Sequence, residues 1–145
     1  MNSCFFLGHR DTSSGISTQL EQTVFSLITN EKVSIFYTGN QGFFDYYAAQ
    51  AVQKAKAVHP EIRLFLVLSY HPAQHKTTLP SGYDGSYYPL RQSVPPQYAI
   101  ARAHRKIIHE CSFLIAYVHQ AGHAQKLLEY AQRREKRGLL RILYL

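Results

Sequence analysis

Residues 36–45 read Phe-Tyr-Thr-Gly-Asn-Gln-Gly-Phe-Phe-Asp, a short apolar run that meets two glycines and then a carboxylate. This order is typical of a strand that turns into a helix around a small anionic ligand. Gly39 and Gly42 would allow positive φ angles and a close approach to a phosphate, while a helix beginning near Phe43 would point its free N–H groups there. Asp45 would accept a hydrogen bond from a ribose hydroxyl. Alternatively, these residues form a tight turn whose carboxylate complements the helix dipole.

Short apolar runs recur along the chain, and each is rich in Phe, Ile, Leu or Val. Because the runs are continuous rather than alternating, they predict strands that are buried on both faces. Segments with helical spacing separate them, and Pro60 and Gly138 punctuate two of the helix ends. The predicted strands lie at 4–7, 33–37, 62–68, 113–118 and 140–145, and the predicted helices at 16–30, 43–58, 97–111 and 124–137.

The alternation of strand and helix predicts right-handed crossovers and helices on both faces of a parallel sheet. The predicted architecture is α/β, a single Rossmann-like three-layer α/β/α sandwich whose mainly parallel sheet has about five strands. It occupies residues 1–145 as one domain. In this architecture ligands bind beyond the carboxyl ends of the strands, near the switch in strand order.

Composition narrows the class of protein. A chain of 145 residues with 46% hydrophobic residues is long enough to bury one core and too short for two ordinary domains. The apolar runs are far shorter than a membrane span, and residues 1–7 lack the apolar centre of a signal peptide, which favours a cytoplasmic protein without a membrane partner. Cys4 and Cys111 offer neither metal spacing nor a disulfide framework and are predicted to be buried thiols.

The formal net charge is +7, and much of it lies near the C-terminus. A basic surface suits a polyanionic partner such as nucleic acid. The alternative is a solvated helix face, which the acidic Glu135 and the absence of interleaved aromatic residues favour. The basic residues concerned are Arg133, Arg134, Lys136, Arg137 and Arg141.

The first predicted strand is followed by Gly8, His9, Arg10 and Asp11. The guanidinium of Arg10 can pair bidentately with a phosphate or carboxylate. His9 would hydrogen-bond a ligand or shuttle a proton near neutral pH. Alternatively, residues 11–13 form a helix-capping turn and Arg10 makes only a surface ion pair.

The helical and strand pattern fails over residues 69–96, which contain five prolines and several tyrosines. Ordered loops of this length are often functional lids. The tyrosines would stack on a base or ribose, or they would pack the loop onto its own domain or onto a second subunit; packing is favoured for most and ligand contact for one. His71 and His75 do not predict a metal site, because Pro72 disfavours a helix there and no third ligand is near. The tyrosines are Tyr70, Tyr83, Tyr87 and Tyr88.

The fourth predicted strand leads into residues 119–124, His-Gln-Ala-Gly-His-Ala. Gly122 would admit a phosphate near a helix N-terminus. Glu129 lies about two turns into that helix, and Arg102, with its neighbours His104 and Arg105, lies on the preceding one. A carboxylate facing basic groups would serve hydrolysis, or it would form an exposed ion pair of little energetic value.

Four stretches taken together resemble the bacterial DUF1273 proteins of the SLOG superfamily. They are Cys-Phe-Phe-Leu-Gly-His-Arg-Asp at 4–11, Gly-Asn-Gln-Gly-Phe-Phe-Asp at 39–45, Pro-Gln-Tyr-Ala-Ile at 96–100, and Ile-Ala-Tyr-Val at 115–118, which leads to Gly122. The resemblance covers nearly the whole chain in the same order. It implies a Rossmann-like fold related to the Lonely Guy cytokinin-activating hydrolases and to the DNA-processing protein DprA, with a role in binding or processing nucleotide-derived ligands.

The resemblance also has departures. The family's Arg-Asn pair falls on Ala103 and His104, its acidic residue before the fourth strand falls on Ser112, and His123 takes the place of a second glycine after Gly122. These changes leave open whether the site is specialised or degenerate. The predicted ligand-binding residues are Gly8, His9, Arg10, Gly39, Asn40, Gln41, Gly42, Asp45, Arg102 and Gly122.

The sequence therefore predicts a protein that binds, and senses or processes, a nucleotide-derived ligand such as ADP-ribose, NAD or a nucleoside phosphate, with no required cofactor and no metal. One alternative is an N-glycosidic phosphoribohydrolase acting on nucleoside monophosphates, with Glu129 as the catalytic residue. A second alternative is a DprA-like nucleic-acid-binding module. A homo-oligomer is compatible with the long tyrosine-rich loop.

Overall fold

A computed structural model describes residues 2–145, which form six strands and four α-helices. A single 3-10 turn at Ser14–Ile16 leads into the first helix. The strands are β1 Asn2–Leu7, β2 Val33–Thr38, β3 Arg63–Val67, β4 Gly85–Tyr87, β5 Phe113–Ala116 and β6 Arg141–Tyr144; the helices are α1 Ser17–Glu31, α2 Phe43–Lys56, α3 Pro96–Glu110 and α4 His123–Lys136.

All neighbouring strands pair in parallel, in the order β4-β3-β2-β1-β5-β6. The predicted Rossmann-like sandwich is confirmed, with six strands where the sequence predicted about five. The chain moves outward from β1 through β2, β3 and β4, and then returns to place β5 on the other side of β1. The order therefore reverses between β1 and β5, and the connections leave this point in opposite directions, which opens a crevice.

The strands are buried on both faces, as their continuous apolar sequences require. Along β1, Cys4 and Phe6 join the core that contains α1 and α2, whereas Phe5 and Leu7 join the core that contains α3 and α4. This alternation follows from the two-residue period of a strand. Cys4 and Cys111 are buried free thiols. None of the helices in residues 2–145 is long and apolar enough to cross a membrane.

The tyrosine-rich segment 69–96 contains the strand that the sequence analysis missed. Three residues of β4 pair with β3, from Gly85 opposite Phe65 to Tyr87 opposite Val67. The connection before β4 is anchored by Asp84, which accepts the Leu64 N–H at 2.8 Å. A strand of Gly, Ser and Tyr has no apolar run, so its pairing depends on contacts from distant residues.

Candidate functional site

The loops after β1, β2 and β5 meet at the carboxyl edge of the sheet, where the strand order reverses. There they border a crevice of about 470 Å³, together with the first turns of α3 and α4. A second cavity of about 610 Å³ adjoins it and shares Arg10 and Asp45. The structure brings Gly8, His9, Arg10, Gln41 and Asp45 to the crevice, and Gly39, Asn40 and Gly42 to the second cavity.

The loop after β1 packs directly on the loop after β2. The Phe43 N–H donates to the Arg10 carbonyl at 2.7 Å, and the Arg10 Nε donates to the Gln41 carbonyl at 3.0 Å. Gly42 has a φ of 150°, and a Cβ there would overlap the Arg10 backbone. A Cβ on Gly8 would overlap the ring of Phe44. These two glycines therefore allow close packing of the protein on itself.

Gly39 lies between a carboxylate and an imidazole. It does not adopt the positive φ that the sequence analysis expected of it. A Cβ at this position would lie 3.0 Å from Asp45 Oδ2 and 3.4 Å from His104 Nε2. The absence of a side chain at Gly39 therefore keeps the space between Asp45 and His104 open.

Asp45 lies in the first turn of α2, as the sequence predicted. Its Oδ2 accepts the Gln41 N–H at 2.9 Å, which closes the loop that precedes the helix. Burial raises the pKa of Asp45 to about 6, although the hydrogen bond from Gln41 acts in the opposite direction. The carboxyl group therefore titrates near neutral pH at the boundary between the two cavities.

His104 borders the crevice and is a functional candidate in addition to the predicted ligand-binding residues. Its side chain is 6% exposed, and neither Nδ1 nor Nε2 finds a hydrogen-bond partner within residues 2–145. Burial, and then the nearby His123, lower the pKa of His104 to about 4, so the imidazole is neutral at pH 7. A buried polar group without a partner costs about 1–3 kcal/mol. The sequence signal that could have identified His104 is its position on the helix face that also carries Ala103 and Ile107.

His9 connects two loops of the site. Its Nε2 accepts the backbone N–H of His119 at 3.0 Å, and its carbonyl accepts from Thr12 Oγ1 at 2.7 Å. Burial and the neighbouring His119 lower its pKa. Since Nε2 is an acceptor, the neutral ring carries its proton on Nδ1. The role that the geometry assigns to His9 is to join the loops after β1 and β5.

The N-terminus of α4 is exposed and borders the crevice. Gly122 precedes the helix with a φ of 136°, no side chain caps the helix, and a Cβ on Gly122 would meet nothing within 4 Å. His123, in the first helical position, lines the crevice with its ring centre 5.8 Å from that of His104. Unpaired N–H groups and the helix dipole make such an N-terminus a favourable position for an anion.

Three predicted residues border neither the crevice nor the second cavity. Gly122 lies between Ala121 and His123, which do line the crevice, whereas Arg102 and Glu129 lie outside it. Arg102 is exposed on α3 with its guanidinium 5.8 Å from the ring centre of Tyr98, and it borders a separate surface depression. Glu129 is exposed on α4, and it borders neither the crevice nor the second cavity. Helical phase explains both positions, because Ala101 and His104 present the crevice face of α3 and the first turn of α4 alone reaches the site.

The four tyrosines of segment 69–96 have different surroundings. Tyr83 borders the second cavity, and its hydroxyl lies 2.6 Å from Thr38 Oγ1. Tyr87 donates to Glu110 at 3.0 Å, and Tyr70 and Tyr88 pack near His75 and His71, respectively. One tyrosine therefore lies at the candidate site and three pack elsewhere.

Within residues 2–145, no group of three or more His, Cys, Asp or Glu side chains is arranged to hold a metal ion. Comparison of the chain with protein-family models finds no matching family, and comparison with curated proteins finds no matching relative.

Proposed function

We propose that this protein binds a nucleotide-derived small ligand, such as ADP-ribose, NAD or a nucleoside phosphate, at the switch-point crevice. The observation that carries the proposal is the pair of unpartnered, buried ring nitrogens of His104 beside the Asp45 carboxyl. A ligand hydroxyl between these groups would donate to one and accept from the other. We further propose, from the motif order and the fold, that the chain is a DUF1273-type member of the SLOG superfamily.

The charged parts of such a ligand also have favourable positions. The uncapped N-terminus of α4 offers backbone N–H groups to a phosphate. Arg10 is exposed, and although its Nε donates to Gln41, its terminal guanidinium nitrogens are left to bind a second oxyanion. A ribose at Asp45 would lie between the two cavities, since this carboxyl group borders both.

A second candidate function is N-glycosidic hydrolysis of the bound nucleotide. The observation that favours it is a carboxyl group with a pKa near 6 facing a neutral imidazole across Gly39. An ionised Asp45 would accept a proton from the water whose oxygen bonds to the anomeric carbon, while the C–N bond breaks, its electron pair passes to the base and the base takes up a proton from solvent. Asp45 replaces Glu129 in this proposal, because Glu129 lies outside the crevice.

The nucleic-acid alternative has less support. Arg141 pairs with Glu31 at 2.8 Å, and Arg134 donates to the His109 carbonyl at 3.3 Å. Two of the C-terminal basic residues are thus engaged within the protein, which favours the interpretation of this region as a solvated face.

Thermal unfolding with ADP-ribose, NAD and AMP tests the binding proposal. A ligand at 100 times its Kd stabilises the native state by about 2.7 kcal/mol, so we expect the Tm to rise by several degrees. Arg10→Gln should abolish most of this rise. Arg102→Gln is the matched control, because it removes the same charge from an exposed arginine outside the crevice. No rise with any nucleotide, or equal losses in the two variants, would contradict the proposal.

A further inference from the structure

The larger cavity beside the crevice differs from it in chemistry. It lies between the first turns of α2 and the segment 80–83, and it meets the crevice at Arg10 and Asp45. Its walls include three aromatic side chains, Phe43, Tyr46 and Tyr83. The crevice has one phenyl ring, that of Phe6, and its lining includes three histidines and the N-terminal turns of α3 and α4. One site therefore has a polar half and an aromatic half.

Two of the aromatic side chains are more than half exposed. Phe43 is 56% exposed and Tyr46 is 55% exposed, and their spacing of three residues places them on the same face of α2. Both rings pack against Tyr47, with ring centres 6.2 and 5.6 Å away. Large apolar side chains at the rim of a cavity are typical of a surface that a ligand covers.

The opposite wall is already in place without a ligand. Gly82 has a φ of 91° and approaches Gln53 so closely that a Cβ would overlap the amide, and Gln53 Nε2 donates to the Ser81 carbonyl at 3.4 Å. The adjoining Asp84 pairs with Lys56 of α2. Segment 80–84 is thereby tied to α2, and the cavity between them keeps its width.

Two amides supply polar groups in the aromatic half. Gln50 Nε2 donates to the Tyr46 hydroxyl at 2.9 Å, and Gln53 Nε2 is used by Ser81, so both side-chain carbonyls remain as acceptors for a ligand. Carbonyl oxygens bind an amino group or a ring N–H. Flat apolar walls with acceptors at one side suit a planar heteroaromatic ring that carries an amino group.

We propose that this cavity binds the amino-substituted base of the nucleotide whose ribose and phosphate occupy the crevice. The inference rests on the proposed function and adds the base as a required part of the ligand. The ribose lies at Asp45, the phosphate lies toward α4, and the base lies between Tyr83 and the rim formed by Phe43 and Tyr46. A ligand without a base leaves the aromatic half empty.

Calorimetric titration of the full chain with AMP and with ribose 5-phosphate tests this inference. We expect AMP to bind about tenfold more tightly, the gain typical of one stacked base. Phe43→Ala and Tyr46→Ala should each weaken AMP binding roughly fivefold and leave ribose 5-phosphate binding unchanged. Phe25→Ala is the matched control, because Phe25 is 46% exposed on α1, away from both cavities; it should change neither affinity.

The outcomes separate the two proposals. Equal affinities for AMP and ribose 5-phosphate would overturn the base subsite and leave the crevice proposal standing. Equal loss of both ligands in Tyr46→Ala would also overturn it, because the ring would then support the crevice rather than the base. Binding of neither ligand would overturn the base subsite, and it would overturn the crevice proposal as well if ADP-ribose and NAD also fail to raise the Tm.

Discussion

The turn from β2 into α2 and the turn from β5 into α4 have the same local design but different surroundings. Gly42 and Gly122 each precede a helix of 14 residues with an extended, positive φ, and neither helix has a side-chain cap. Gly42 faces the backbone of Arg10, whereas Gly122 faces open space. The same signature therefore serves internal packing in the first turn and leaves open space beside the helix N-terminus in the second.

The third helical position differs as well. In α2 it is Asp45, which reaches back to the Gln41 N–H and closes the turn. In α4 it is Gln125, which makes no such bond to the described part of the chain. A glycine before a helix thus leaves room for a ligand only where no other segment of the protein already occupies the space beside it.

Among the variants that test this comparison, Gly42→Ala should cause the largest loss of stability. The new methyl group would overlap the Arg10 backbone and would also strain a φ and ψ combination that only glycine adopts readily. We expect a loss of about 4 kcal/mol in unfolding free energy, from strain and overpacking together. Urea denaturation measures it. A loss no larger than that of Gly122→Ala would show that the contact with Arg10 does not distinguish the two turns.

Asp45→Asn should give the second-largest effect on stability, and it should stabilise the protein rather than destabilise it. Because the folded-state pKa of Asp45 is raised from 3.8 to about 6, the native protein binds this proton more tightly than the unfolded chain. The stabilisation that protonated Asp45 contributes is fully present below pH 3.8, and it is lost as the pH rises through about 6. Asparagine keeps an acceptor for the Gln41 N–H without the charge, so we expect a gain on the order of 2 kcal/mol at pH 8.

Urea denaturation of both proteins at pH 8 and pH 5 measures this difference. The gain in unfolding free energy should shrink at pH 5, where the wild-type carboxyl group is largely protonated. The nucleotide affinity of Asp45→Asn should fall below that of the wild type at pH 8. Asp11→Asn removes an exposed carboxylate from the neighbouring loop and serves as the control, with no gain expected. A gain of equal size at both pH values would mean that packing rather than charge is responsible.

Much of the fold could be predicted because its causes are local in the sequence. Continuous apolar runs predicted five of the six strands. Because parallel strands end at one edge of the sheet, residues that follow the strand ends at Leu7 and Thr38, such as Arg10 and Asp45, could be placed at that edge. β4 could not be found this way, since Asp84 anchors it through residues far away in the chain. The same holds for the surroundings of Gly39, which include the ring of His104 on a helix far along the chain.

Helical phase explains the remaining differences at the candidate site. Arg102 and His104 are two residues apart on α3 and point to different surroundings, so their order in the sequence did not reveal which one borders the crevice. Charge favoured Arg102 as the binding residue. Burial favours His104, whose ring nitrogens have no partner in the described chain.

Gly122→Ala should give the smallest effect on stability and the most specific effect on binding. Its φ of 136° strains any side chain, but no atom lies within 4 Å of the added Cβ, so we expect a loss of about 1 to 2 kcal/mol.

Gly138→Ala is the matched control at the other end of α4, because its φ is 73° and its surroundings are also open. Both variants should lose stability in urea denaturation, Gly138→Ala somewhat less, because residues other than glycine also adopt the left-handed conformation. Only Gly122→Ala should weaken AMP binding, about fivefold, or roughly 1 kcal/mol, because its methyl group enters the space proposed for the phosphate. Equal AMP affinities in the two variants would place the phosphate away from α4, and the turns at Gly42 and Gly122 would then differ in packing alone.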